Sequence, residues 1–244
     1  MLELEQIEKF YPEHLRPFRK NLLREYLQFR ILEAIFDSDY CGRLAFMGGT
    51  AIHILHQGTR FSEDLDFDNL GLTKQEFEDL SSVVAKRLKR EGYTLETRNV
   101  FRGAFRSYIK FQEILLRFGI SRHADEKMLI QIDAEPQKFD YIPEKAILNK
   151  FDIFIRVNAV PVGMLLSQKI AAILKRKRPV GRDFYDAVYL FGRTEPDFKY
   201  LEAKAGVADI GDLKEILLKR AGELDIESLA RDVEPFLYRP GDSK

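Results

Sequence analysis

Residues 46–71 read FMGGTAIHILHQGTRFSEDLDFDNLG, a glycine turn followed by acids that alternate with apolar residues. In an extended chain, alternate residues share a face roughly 6.6 Å apart. Ser62, Asp64, Asp66 and Asp68 would then line one side, and Glu63, Leu65 and Phe67 the other. Carboxylates so placed repel and raise one another's pKa unless a cation sits among them. Oxygen ligands suit Mg²⁺ or Mn²⁺, and Mg²⁺ is usually held by one or two carboxylates plus substrate phosphates. Asp64 and Asp66 are thus candidate metal ligands for phosphoryl chemistry, with Asp68 a supporting or solvated acid. The competing use of such acids is to keep an edge strand from pairing with another chain.

Just upstream, Gly48 and Gly49 allow the backbone to approach a phosphate closely. A helix opening at Thr50 would present free N–H groups and the positive end of its dipole. Gly48, Gly49 and Thr50 are therefore candidate triphosphate ligands, although a plain strand-to-helix turn uses the same residues. Lys169 lies within the apolar stripe of Leu165, Leu166 and Ile173, where a cation needs an acceptor. Either its ammonium snorkels to water, or it reaches across a domain cleft to nucleotide phosphates and stabilises transition-state charge. Asp183 and Asp186, three apart, share one helical face; dipole compensation in a first turn would also account for them.

The elements that must position these groups follow from periodicity. Residues 13–37 repeat apolar positions at helical spacing, with a break near Pro17. RLAFMGG reads as a buried strand and TAIHILHQG as a helix with Thr50 as N-cap and Gly58 as C-cap; RFSEDLDFD is the acidic strand. Residues 73–92 form a helix opened by the capping box of Thr73 with Glu76. YTLETRNV, AFRSYIKFQ and MLIQIDAEP are further strands, the last carrying Asp133, and residues 141–154 read as a connector. Beyond it, PVGMLLSQKIAAILKRKRP, GRDFYDAVYLF, LKEILLKRAG and IESLARDVEPFL are helical.

Composition narrows the class. An apolar fraction of 45% over 244 residues supports a real core. Lys plus Arg and Asp plus Glu are equal at 39 each, so any polyanion must meet a local patch rather than a global field. The densest basic tract is KRKRPVGR, and Arg98, Arg102, Arg106 and Lys110 form a second cluster in the strand region; either could grip an RNA backbone. One cysteine, Cys41, excludes an intramolecular disulfide and a cysteine-based zinc site. No apolar run is long enough for a membrane span and no signal peptide opens the chain, so a cytoplasmic protein is expected. The charged fraction of 32% is a weak hint of heat adaptation. His53 and His56 read as helix-surface or core residues rather than ligands.

FMGGTAIHILHQGTRFSEDLDFD resembles the nucleotidyltransferase signature of the abortive-infection AbiEii/AbiGii toxin family, a branch of the polymerase-β-like superfamily. The superfamily pattern is a Gly-Ser followed about ten residues later by D-x-D. Here Gly49-Thr50 stands in for Gly-Ser, and thirteen residues separate Thr50 from Asp64. LSQKIAA with Lys169, and RDFYD with Asp183 and Asp186, are similar to the family's second block, so the resemblance spans residues 44–191.

The resemblance implies an α+β fold: a polymerase-β-like domain with a mixed sheet over residues 1–154, and a mainly helical domain over 155–244 that completes the active-site cleft. It implies metal-dependent transfer of an NMP from an NTP to an acceptor, with RNA, at a tRNA 3′ end, a plausible one. It makes Asp133 a candidate third carboxylate, as metal ligand or base, and pairs Lys169 with Asp183 or Asp186. Ser62 becomes a residue near the nucleotide that accepts phosphate when the toxin is silenced. The biological setting would be a toxin–antitoxin or phage-defence pair, with a cognate antitoxin protein or kinase as partner. Two alternatives stay open: the same chemistry on a small molecule or protein, and a nucleotide-binding interaction module without turnover.

Overall fold

The computed structural model describes residues 1–239, 241 and 242. They form two compact units, Met1–Ala51 with Ser62–Ala159, and Ile52–Phe61 with the chain from Val160 onward. The sequence-based division at residue 155 assigned residues 52–61 to the first part. In the structure that segment clusters with the second, and its hydrogen bonds give the reason. The Phe61 amide donates to the Phe236 carbonyl at 2.7 Å, and the Tyr189 hydroxyl donates to the carbonyls of His56 and Gln57 at 2.7 and 2.6 Å.

The first unit begins with α1 (Leu4–Glu8) and α2 (Arg19–Phe36). A 3-10 turn at Glu13–Leu15 and Pro17 separate them, as the expected break near Pro17 required. Then come β1 (Leu44–Met47), α3 (Gly48–Leu55, of which only the part up to Ala51 belongs to this unit), β2 (Leu65–Asn69), α4 (Lys74–Arg90), β3 (Leu95–Arg102) and β4 (Ala104–Phe111). They are followed by α5 (Ile114–Arg117), β5 (Met128–Glu135), β6 (Glu144–Lys150) and β7 (Ile153–Ala159). The Thr73–Glu76 capping box opens α4. The strands make one seven-stranded sheet in the order β3-β4-β5-β2-β1-β7-β6, parallel at β1–β7 and β2–β5 and antiparallel elsewhere.

Residues 141–154 are not a connector: β6, a tight turn with Phe151 at φ 60°, and the start of β7 occupy them. β6 is an edge strand in which only Leu148 is buried, so its sequence lacks the apolar alternation that marks a half-buried strand.

One face of the sheet carries α2 and α4. Phe36 meets Phe67 at 6.2 Å between ring centroids, Phe77 meets Phe101 at 6.1 Å, and Ser81 bonds Ser107 at 2.8 Å. Tyr26, Phe46, Phe67, Phe77 and Phe111 are fully buried there, each contributing on the order of 2–3 kcal/mol from removed apolar surface. Strand periodicity then turns Asp66, Asp68 and Asp133 to the opposite face.

The second unit is helical after residue 160: α6 (Val162–Lys175), α7 (Gly181–Phe191), α8 (Phe198–Ala205), α9 (Ile210–Gly222) and α10 (Ile226–Val233). No helix among the described residues is long and apolar enough to cross a membrane.

Candidate active site

In the first unit, β1 ends at Met47, whose register partner on β2 is Asp66. The chain then turns at Gly48, with φ +77°, directly against that carboxylate. A Cβ on Gly48 would lie 2.1 Å from Asp66 Oδ2. Glycine is required twice over, for the left-handed conformation and for the close approach. α3 starts at Gly48, so Thr50 is not its N-cap but sits inside the first turn. Thr50 is fully buried, and its hydroxyl donates to the Asp64 carbonyl. It therefore ties the glycine turn to the segment entering β2, and the helix-end amides available to an anion belong to the residues around Gly48 and Gly49.

β2 is shorter than the alternation suggested and begins at Leu65, so Ser62 and Asp64 lie on the approach to the strand. Gln28 Nε2 holds that approach through the carbonyls of Ser62 and Glu63 at 3.1 and 3.0 Å. Asp64 is exposed as a residue, yet its carboxyl is pushed above the usual range. Partial desolvation is the main cause, followed by the carboxylates of Glu63 and Asp133, against opposing help from the Gln131 backbone and Arg24.

Asp133 is the register partner of Asp66 on the parallel strand β5, which sets their backbones about 4.8 Å apart. Arg106 lies 3.1 Å from Asp133 Oδ1, and Gln131 Nε2 donates to Oδ2 at 2.7 Å. Asp68 is otherwise engaged. It is 2% exposed and accepts from the Gln137 amide and the Tyr141 hydroxyl, each at 2.8 Å, so it pins the loop after β5.

The second unit gathers Lys169, Asp183 and Asp186. Lys169 Nζ lies 3.1 Å from Asp183 and 2.9 Å from Asp186. Asp186 also receives two 2.7 Å bonds from the fork of Arg60, and the pair is 4% and 3% exposed. Arg176 reaches Asp183 at 2.7 Å. Burial opposes charge on Lys169 and Asp186, but their mutual attraction outweighs it. The Lys169 ammonium is held above its ordinary pKa, and the Asp186 carboxyl below its own, with Arg60 adding to the latter.

The acceptor that a lysine in an apolar stripe required is this carboxylate pair. Arg60 was not legible as its partner, because 126 positions separate Arg60 from Asp186. Arg106 was legible as a cation but not as the counter-charge of Asp133. His53 is a core residue, 8% exposed, with Nδ1 3.1 Å from the Gly58 carbonyl.

For a divalent cation the donor set is uneven. Among the described residues no group of three or more His, Cys, Asp or Glu is arranged as a ligand set. Asp64 and Asp66 suit a cation that also takes phosphate oxygens, since partial burial, and then the charges of Glu63 and Asp133, disfavour a bare carboxylate at Asp64. Asp133 already has Arg106 as its positive partner.

This sheet and its helices follow a known architecture. The chain aligns with JHP933 from Helicobacter pylori at a TM-score of 0.53 and 16% identity, over 87% of this chain and 78% of that one. A second Helicobacter pylori protein, assigned as a nucleotidyltransferase, aligns at 0.52 and 17%, over 87% and 80%. An antigenic nucleotidyltransferase-like protein from Paracoccidioides brasiliensis is more distant, at 0.47 and 14%, over 84% and 92%. No curated protein matches by sequence. The fold is thus of the nucleotidyltransferase-like class. The sequence model of the nucleotidyl transferase AbiEii toxin family, from type IV toxin–antitoxin systems, matches residues 30–237, and the chain belongs to that family.

Proposed function

We propose that this nucleotidyl transferase moves a nucleoside monophosphate from an NTP to a hydroxyl of RNA, at a tRNA 3′ end, in the manner of a toxin silenced by a cognate antitoxin protein or kinase. The observation that carries the reading is the Gly48 turn pressed against Asp66, next to an Asp64 carboxyl burdened by partial burial and then by acidic neighbours. A phosphate site and an acidic site share one short stretch of backbone there.

In this reading the amides around Gly48 and Gly49 bind and orient the triphosphate. Thr50 has an indirect part, fixing the Asp64 backbone. Asp64 and Asp66 would hold Mg²⁺ or Mn²⁺, which when bound withdraws charge from the reacting phosphoryl group. The acceptor oxygen attacks the α-phosphorus in line, the bond to the bridging oxygen breaks, and pyrophosphate leaves. Asp133 stands beside Asp66 as the supporting acid and candidate base for the acceptor proton, with Arg106 setting its orientation. Lys169 is matched by Asp183 and Asp186 within the second unit, where it holds their charge. Ser62, on the held approach to β2, is the candidate site of silencing by phosphorylation, where added negative charge would compete with the nucleotide.

The test incubates the protein with each labelled NTP, Mg²⁺, total RNA and a protein extract. Label on RNA, lost with EDTA and with Asp66→Ala, supports the reading. Label only on protein or small molecules, or transfer that survives Asp66→Ala, overturns it.

A further inference from the structure

The face of the sheet that bears the carboxylates continues outward across β5, β4 and β3, and its chemistry changes in order. Register places Asp66 beside Asp133, Asp133 beside Arg106, and Arg106 beside Val100. One row along, Gln131 faces Tyr108, and Tyr108 faces Arg98. Asp64 joins that row because Leu65, the next residue, pairs with Ile132. In a further row, Leu129 faces Lys110. Two rows thus run from an acid on β2 to a cation, Arg106 on β4 in the first and Arg98 on β3 in the second, the latter over three strand spacings or roughly 14 Å, while the third carries Lys110 on β4 and Glu96 on β3.

Arg98, Arg102 and Lys110 are exposed, and among the described residues none of them forms an ion pair. Arg106 differs, its charge being matched by Asp133. The acid on this face of β3, Glu96, lies across from Lys110 and pairs with Lys127 at 3.7 Å. Tyr108, partly exposed, sits between Arg98 and Gln131 in the middle of the patch. Arginines protecting an edge strand need no aromatic among them, and a solvated charged face needs no ordered approach to a pair of acids.

We propose that this open face is the docking surface for the single-stranded end of the RNA acceptor. Arg98, Arg102 and Lys110 take backbone phosphates, Tyr108 carries an unstacked base, and the terminal hydroxyl is led toward Asp64 and Asp66. Charge complementarity fixes the class of occupant: a polyanion whose phosphates follow the cations and whose bases offer a flat face to tyrosine. The inference rests on the reading of the function as transfer to RNA.

The test is fluorescence anisotropy of the whole protein with a labelled single-stranded RNA oligonucleotide and no NTP. Arg98→Glu/Arg102→Glu should weaken binding roughly 10- to 100-fold and flatten the log–log salt slope by about 1.4, two contacts at about 0.7 each. Tyr108→Ala should weaken it roughly 5- to 100-fold with the salt slope unchanged. Lys86→Glu/Lys89→Glu, the same charge change on exposed positions of α4, should have little effect. Thermal melts check that each variant is folded, and should Tyr108→Ala fail to fold, Tyr108→Phe must retain binding. No RNA binding by the wild type, equal losses in the α4 variant, tighter binding of DNA or duplex RNA, or binding of an acidic polypeptide in place of RNA would each overturn the surface. RNA binding lost in the platform variants, with no nucleotide ever transferred, would keep the surface and sink the reading of the function.

Discussion

The two units hold aspartates of the same type in opposite electrostatic conditions. Asp183 and Asp186 are buried in a web of Lys169, Arg60 and Arg176, and the Asp186 carboxyl is held below its usual pKa. Asp64, partly desolvated and beside Glu63 and Asp133, is pushed above it. The first arrangement is fully compensated; in the second, Arg106 and Arg24 offset the charge only in part, since Asp64 still carries a desolvation and repulsion penalty. An acidic cluster whose charges are fully matched supports a fold, whereas one that holds a carboxyl above its usual range is a better candidate for a ligand site.

The largest expected effect is on the acidic stretch of the first unit. Asp66→Ala should lower nucleotide transfer on the order of 1,000-fold, since several kcal/mol of charge stabilisation go with the cation it would hold. Its melting temperature should hardly change; a large fall would mean that Asp66 is structural and erase the contrast. Next comes Asp186→Asn, which leaves Arg60 and Lys169 short of a buried counter-charge. It should cost about 3–5 kcal/mol, seen as a melting point lower by roughly 10 °C.

The same contrast predicts pH behaviour. The folded pKa of Asp186 is depressed, so its contribution is present above the ordinary carboxylate pKa of 3.8 and is lost as pH falls below that value. Lys169, raised above 10.5, loses its contribution only as pH climbs past that value. Acid should therefore unfold the second unit's ion web below about pH 4, and Asp186→Asn should lose that transition.

Smaller effects sharpen the first unit. Gly48→Ala should cost about 1–3 kcal/mol of strain while reducing transfer more than stability, because the new Cβ displaces the Asp66 carboxylate. Asp64→Asn should go the other way, abolishing activity and raising the melting temperature slightly at neutral pH. An acid with a raised folded pKa weakens the fold most above that pKa, and the penalty fades as pH falls toward the unfolded value. If Asp64→Asn destabilises at pH 7, the penalty on a charged Asp64 from burial and neighbouring acids is wrong.

The parts governed by short-range physics were legible in the residues alone. The alternation around Asp66, the glycine turn, the α4 capping box and the Lys169 stripe were readable because their partners lie within a turn or two of chain. The sequence also displayed a family signature that the structure and the family match bear out at the level of fold and enzyme class. Which cation belongs to which acid became visible only in the folded chain. Arg60 with Asp186, Arg106 with Asp133, and the return of residues 52–61 to the second unit depend on contacts across long stretches of chain. The β6–β7 hairpin was hidden for a related reason: an edge strand buries few side chains, so its pairing comes from backbone hydrogen bonds that leave no periodic trace in residue type.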